Sequence, residues 1–400
     1  MTSSERFVLA AGQEPEMTGD AELATAKRRF DSLILAILLL AVPVGACQES
    51  LPDPEGEEVS LRLRPRPAIG SHIGEGPKAF GRIGDFAVAD DRSVYVLDQL
   101  NRVVQVFDER GNHVRTIGRE GNGPGEFANP VALTWDPEGR LWVVDPGNNR
   151  YSVFSADGEL IRTYPRPVQG VVGDWPGGFS PDGRLYDVAF EFGPGGPVEV
   201  LVECAVTEEE VTPVRRIELP DLERTTFPLV ERPGNIAMEE VPFASQPIWR
   251  IGPDGHLWYA RTGEPWVYRR SLEDGTEQRF GREFEAPPVS RQERQAAIDG
   301  LARFLEIAGE VDLSVIPETK PHIRGFFFDD DQNLWIMRSF QYEPGNDAWP
   351  MDVWDPEGNL LGTVRGTLEA TPWPKVGDGL VAGLMRVASA IEFVALYEVW

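Results

Sequence analysis

The feature that most constrains this chain is a short signature that returns five times: a tight polar turn, then an aromatic residue inside a β-branched run. It reads ADDRSVYVLD (89–98), DPEGRLWVVD (136–145), SPDGRLYDVA (180–189), GPDGHLWYAR (252–261) and DDDQNLWIMR (329–338). In DPEG, Pro137 presets φ and Gly139 accepts the positive φ that closes a hairpin. The run that follows suits a pleated surface. The aromatic anchors Tyr95, Trp142, Tyr186, Trp258 and Trp335 stand 47, 44, 72 and 77 residues apart. Seven positions before each lies an apolar residue: Val88, Trp135, Phe179, Ile251 and Phe328. A second turn series, FDERGNHVRT, FSADGELIRT, SLEDGTEQRF and WDPEGNLLGT, marks outer hairpins. One such sheet cannot bury both its faces, so each copy needs neighbours like itself.

Four-stranded units at a period of roughly 45 residues define a β-propeller. The 41 Gly and 34 Pro of the 400 residues fit a turn-rich, all-β chain. PWPKVGD, LVAGLMR and EFVALYEVW supply three strands of a sixth blade between 372 and 400. Its fourth is expected from the other end, where Val59, Leu61 and Leu63 alternate with Ser60, Arg62 and Arg64; such a strand would close the ring and remove free sheet edges. The fold class is therefore all-β, a six-bladed β-propeller of four-stranded blades over 59–400, closed by an N-terminal strand. The apolar run from Leu380 is not a membrane helix, because Arg386, Glu392 and Glu398 interrupt it. One helical insertion breaks the β pattern at 290–309. Ser290 and Glu293 form a capping-box pair there, and Ile298, Leu301, Leu305 and Ala308 fall at helical spacing, predicting one amphipathic helix on a propeller face.

The first 58 residues stand apart from the repeat. Residues 1–26 read as a disordered or mis-started N-terminus. In 27–46, Lys27, Arg28 and Arg29 precede SLILAILLLAVPVGA, the basic and apolar regions of a secretory signal. The segment ends Val44-Gly45-Ala46-Cys47, which resembles the lipobox of bacterial lipoproteins; this implies a lipid on Cys47 and a polar tether over 47–58. The chain is then expected to be exported and lipid-anchored to a bacterial membrane of the cell envelope, outer-membrane or periplasm-facing, touching the membrane through that lipid alone. Cys204, in the apolar run VEVLVECAV, reads as a buried thiol. Removing the 4 basic and 6 acidic residues before Cys47 changes the net charge from −27 to −25, which argues against nucleic acid as a partner.

GREGNGPGEFANPVAL followed by DPGNNRYSVF resembles an NHL repeat, with Asp145, Asn148 and Arg150 on its D-x-x-N-x-R positions; the first blade keeps Asp98 and Asn101 but has Val103 at the Arg position. Over residues 44–400 the layout is similar to bacterial six-bladed β-propeller lipoproteins with degenerate NHL-like repeats. The resemblance implies that the Asp/Asn/Arg set braces the blade. The four histidines form no zinc-ligand spacing, and Asp329-Asp330-Asp331 occupies the same hairpin turn as DPEG. No catalytic residue and no metal site are assigned; no cofactor is expected, Ca²⁺ being the one ion such an acidic turn would invite. The first strand of each propeller blade lines the channel. Thirteen residues before the anchors, Arg82, Asn129 and His322, with Arg324 two further on, are the candidate channel-mouth binding residues. The reading is a monomeric binding or interaction module for a protein, peptide or glycan partner. The alternative is a propeller enzyme, a metal-dependent lyase or lactonase-like hydrolase working at the channel mouth.

Overall fold

The computed structural model describes residues 62–399, apart from 72–75, 171–174, 194–195, 221–223, 229, 233–234, 238, 342–347, 371 and 388–390. The signal segment, Cys47 and the tether lie outside the described residues. Six four-stranded antiparallel sheets form the blades of a propeller. In each the innermost strand comes first: Ile83–Val88, Ala132–Trp135, Gly178–Phe179, Pro247–Ile251, Ile323–Phe328 and Lys375–Gly377. All enter from the same end of the channel, so their C-terminal ends and the turns that follow define the other end.

The ring closes as the alternation suggested, with a shift. The closing strand is Leu63–Ile69, which pairs antiparallel with Ile391–Val399 from Leu63 opposite Val399 to Ile69 opposite Val394. Val59 and Leu61 are outside the described residues. The apolar C-terminal run is two strands, Leu380–Val387 and Ile391–Val399, with no helix among its described residues.

The repeated signature is built as its residues dictate. Gly139, Gly183 and Gly255 take φ of +72°, +81° and +75° at the hairpin turn. Blades one and five lack glycine there, and Arg92 and Gln332 adopt the same left-handed conformation at φ 65° and 63°. The first aspartate of the turn accepts the anchor's indole N–H: Trp142 to Asp136 at 2.7 Å, Trp258 to Asp254 at 3.0 Å, Trp335 to Asp329 at 2.8 Å. Asp329 also accepts from the backbone of Asp331 and Asn333 and from the Asn333 side chain, so its carboxylate is consumed by its own turn.

The helical insertion differs from the single helix expected. It is two helices, α1 (Arg291–Gly300) and α2 (Ala302–Ala308), broken at Leu301, whose φ −80° and ψ 0° leave the helical region. The Ser290–Glu293 capping box is present. Phe304, Leu301 and Ala308 pack with Phe227, Val241, Ala244 and Ile316 in a small core of their own, joining this insertion to the one between blades three and four. Gly300 lies directly before the break, where an apolar stripe alone gives no warning of an interruption. Lys320 ties the insertion to blade five, pairing with Glu293 at 2.5 Å and donating to the Phe340 carbonyl at 3.0 Å.

Candidate functional site

The polar residues that stand out most in the sequence are committed to holding the blades. Asp145 is fully buried and accepts the backbone N–H groups of Ala128 and Asn129 and the amide of Asn148. Arg150 donates to the carbonyls of Asn122, Gly123 and Glu126. Together they fold the long loop GREGNGPGEFAN onto blade two. Asp98 repeats the arrangement in blade one, accepting from Gly81, Arg82 and Asn101.

The residues chosen thirteen before the anchors stand at the N-terminal ends of the inner strands. Arg82 is exposed, with its backbone N–H on Asp98. Asn129 is half-buried, and its backbone N–H goes to Asp145 at 2.8 Å. His322 donates from Nδ1 to the Gly263 carbonyl at 2.6 Å and packs edge-on against Phe284. Arg324 lies over the Trp349 ring at 3.9 Å and 3.6 Å from Glu369; burial lowers its pKa. His322 and Arg324 share blade five, each held by its own partners. None of the four lines the channel's cavity.

That cavity, about 390 Å³, is at the opposite end. Its wall is made by the last residues of the inner strands of blades two to five, among them Trp135, Phe179, Ile251 and Phe328, by turns beyond them, and by Pro374, Lys375 and Val376 at the start of the inner strand of blade six. The residues seven before the anchors therefore do two things: they pack between blades and they face the void. One position earlier stand Thr134, Gly178 and Arg250, which also line it. A Cβ added at Gly178 would meet nothing within 4 Å, so the cavity reaches to the backbone there.

Charge is concentrated in this wall. Arg250 lies against the rings of Phe328 and Trp373, 6.0 and 5.3 Å from their centroids, and its Nε is buried with no hydrogen-bond partner. Lys375, on the inner strand of blade six, has its Nζ 3.6 Å from Asp85 Oδ1. Asp85 is buried in blade one and already accepts the backbone N–H groups of Phe86 and, across the blade boundary, Leu133, both at 2.9 Å. A quarter of the Lys375 side chain stays open, toward the cavity it lines. Burial lowers its pKa; Asp85 offsets part of that and the nearby Arg250 charge adds to it. Burial also holds Arg250 down to about 10, against an opposing pull from Asp85, so its guanidinium remains a cation at neutral pH. At the rim, burial raises the pKa of Asp330, and the neighbouring carboxylates of Asp329, Asp378 and Asp331 raise it further. Among the described residues, no group of three or more His, Cys, Asp or Glu side chains converges as metal ligands.

The family model agrees with this architecture. Residues 75–171 match the DUF5128 family model, a 6-bladed beta-propeller. The human NHL repeat-containing protein 3 is 28% identical over 148 residues, covering 32% of this chain; the match spans 40% of that protein's length. Among solved structures, a putative exported protein from Bacteroides fragilis is similar at a TM-score of 0.45 and 11% identity, over 86% of this chain and 97% of that one. The virginiamycin B lyase of Staphylococcus aureus is similar at a TM-score of 0.36 and 13% identity, over 85% and 88%. The six-bladed architecture and the NHL-like character of the early blades, both expected from the sequence, are borne out.

Sequence reasoning missed Asp85, Arg250 and Lys375. A signal existed: each is the one charge of an otherwise uncharged inner strand, in IGDFAV, PIWRI and KVG. In the column eight before the anchors, Arg250 stands where earlier blades carry Ala87, Thr134 and Gly178.

Proposed function

We propose that this chain is a ligand-binding module, displayed at the cell envelope by a lipid on Cys47, that takes its ligand in the cavity at the turn end of the channel. The observation that carries the reading is the composition of the cavity wall. Five inner strands of a closed ring surround a void within the size range of small-molecule sites, with aromatic residues and a few charged groups converging on it. The ring fixes those groups on rigid strands rather than on loops, as binding constellations require. A volume of about 390 Å³ suits a small molecule or the tip of a larger partner, such as a peptide end or one sugar.

Gly178→Phe provides the test. The added ring has open space to occupy, and it fills the cavity without altering any charge. Thermal-shift screening of a small-molecule library is expected to find ligands that raise the wild-type Tm and leave the Gly178→Phe variant unmoved. If the variant folds and responds to every such ligand as the wild type does, binding is elsewhere on the propeller.

A further inference from the structure

We propose that the cavity holds the carboxylate of a monoanionic small molecule between Arg250 and Lys375, with the molecule's apolar body against Trp135, Phe179 and Phe328. This rests on the reading of the cavity as the binding site and names the class of ligand.

Charge in the cavity wall is unevenly paired. Two basic side chains stand in the wall, and among the described residues the one carboxylate in an ion pair with either of them is Asp85. Asp85 is half spent, because each of its oxygens already accepts a backbone N–H. Taking a charge out of water costs several kcal/mol unless a counter-charge repays it. A chain with 65 acidic and 38 basic residues has carboxylates to spare, yet it places none against the Arg250 guanidinium among the described residues. Rings hold that guanidinium instead, and a cation–π contact fixes its plane without neutralising it. A guanidinium so held keeps its edge N–H groups for an incoming carboxylate, which matches them geometrically.

The charge count then selects the ligand. Arg250 and Lys375 stand against Asp85, and the wall also carries Asp329 and Asp330, so a monoanion seated on the two basic groups is tolerated where a phosphate dianion is repelled. Asp330 at the rim adds a further obstacle to a dianion. Trp135, Phe179 and Phe328, with Leu133, Ile251 and Val376, form the apolar part of the wall, so the body attached to the carboxylate is small and apolar rather than a sugar phosphate.

Isothermal titration of the folded propeller with phenylacetate, phenylacetamide and inorganic phosphate tests this. Phenylacetate is expected to bind, with the neutral amide at least about tenfold weaker, the scale set by hydrogen bonds to a charged group. Phosphate is expected not to compete. Arg250→Gln and Lys375→Met should each weaken phenylacetate by about tenfold or more, while Lys375→Arg, which keeps the charge, retains binding. Circular dichroism of each variant establishes that it is folded. Equal binding of acid and amide, preference for phosphate, indifference to all three substitutions, or no binding of phenylacetate to the wild type would each overturn the proposal. A neutral ligand that Gly178→Phe excludes, with phenylacetate inert, would leave the cavity as the site and remove only the carboxylate.

Discussion

The ring of Trp135 meets that of Tyr95 edge-on, 5.1 Å between centroids and at 89°, across the boundary between the first two blades. The step recurs in Phe179 on Trp142 and in Phe328 on Trp258, each at 5.0 Å. An inner-strand residue of one blade is thus seated on the second-strand anchor of the blade before it. Trp135 adds an indole N–H to the Val88 carbonyl at 2.9 Å. Trp135→Ala is expected to destabilise the propeller by about 3 kcal/mol through the cavity it leaves between blades. A double-mutant cycle with Tyr95→Ala, read by urea unfolding, should return a coupling of about 1 kcal/mol. Strict additivity would mean the two rings share a boundary without interacting.

Closure of the ring rests on a strand from the far end of the chain. Leu63–Ile69 covers the free edge of Ile391–Val399, and Ile69 is fully buried in the core between blades six and one. A chain starting after Ile69 would expose that edge, a template for pairing with another molecule. The truncated protein should run as dimers or larger species by light scattering. A monomer of unchanged Tm would show that closure contributes nothing.

The blades were legible because their signals are local: turn chemistry, an aromatic anchor and an apolar column can each be read within ten or so residues. The closing strand was legible for a related reason, since a blade short of one strand demands a partner. The break at Leu301 was not, because Ile298, Leu301, Leu305 and Ala308 keep one stripe whether or not the helix is interrupted, and Leu301 itself packs into a core that Phe227 and Val241 supply from another insertion. The site was half legible. Alignment to the anchors gives a residue's height along the channel, so it pointed to the N-terminal ends, where Arg82 and Asn129 stand. It does not say at which height the wall is thin. That depends on side-chain volumes contributed by five blades at once, such as the missing side chain of Gly178, and on which charges the ring leaves unpaired.

Cys204 offers a probe of the whole fold. It has no exposed surface, its Sγ lies 3.9 Å from the Val202 carbonyl, and burial pushes its pKa up to about 12. The thiolate is the reactive form, so both access and ionisation are denied. In a chain beginning after Cys47, a disulfide reagent at pH 8 should modify Cys204 no faster than the propeller opens, and rapidly in denaturant. Fast reaction under native conditions would place the thiol near the surface and unseat the packing of blade three.

Arg250 should oppose stability and binding to one another. Its folded-state pKa, about 10, lies below the ordinary 12.5 because burial disfavours the charged form. Between those two values the unfolded chain binds more protons, so this group makes stability rise as pH climbs through that window. At neutral pH the guanidinium is charged and imposes its full penalty on the unliganded protein. Arg250→Met fills similar space against Phe328 and Trp373 without a charge, and such exchanges of a buried charge for an apolar side chain are often neutral or stabilising. The variant is expected to match or exceed the wild type in urea unfolding at pH 7, with the difference shrinking as pH approaches about 11. It should at the same time lose phenylacetate. Loss of more than about 2 kcal/mol at pH 7, on the scale of a removed structural contact, would show that Arg250 holds the blades together rather than waiting for a ligand.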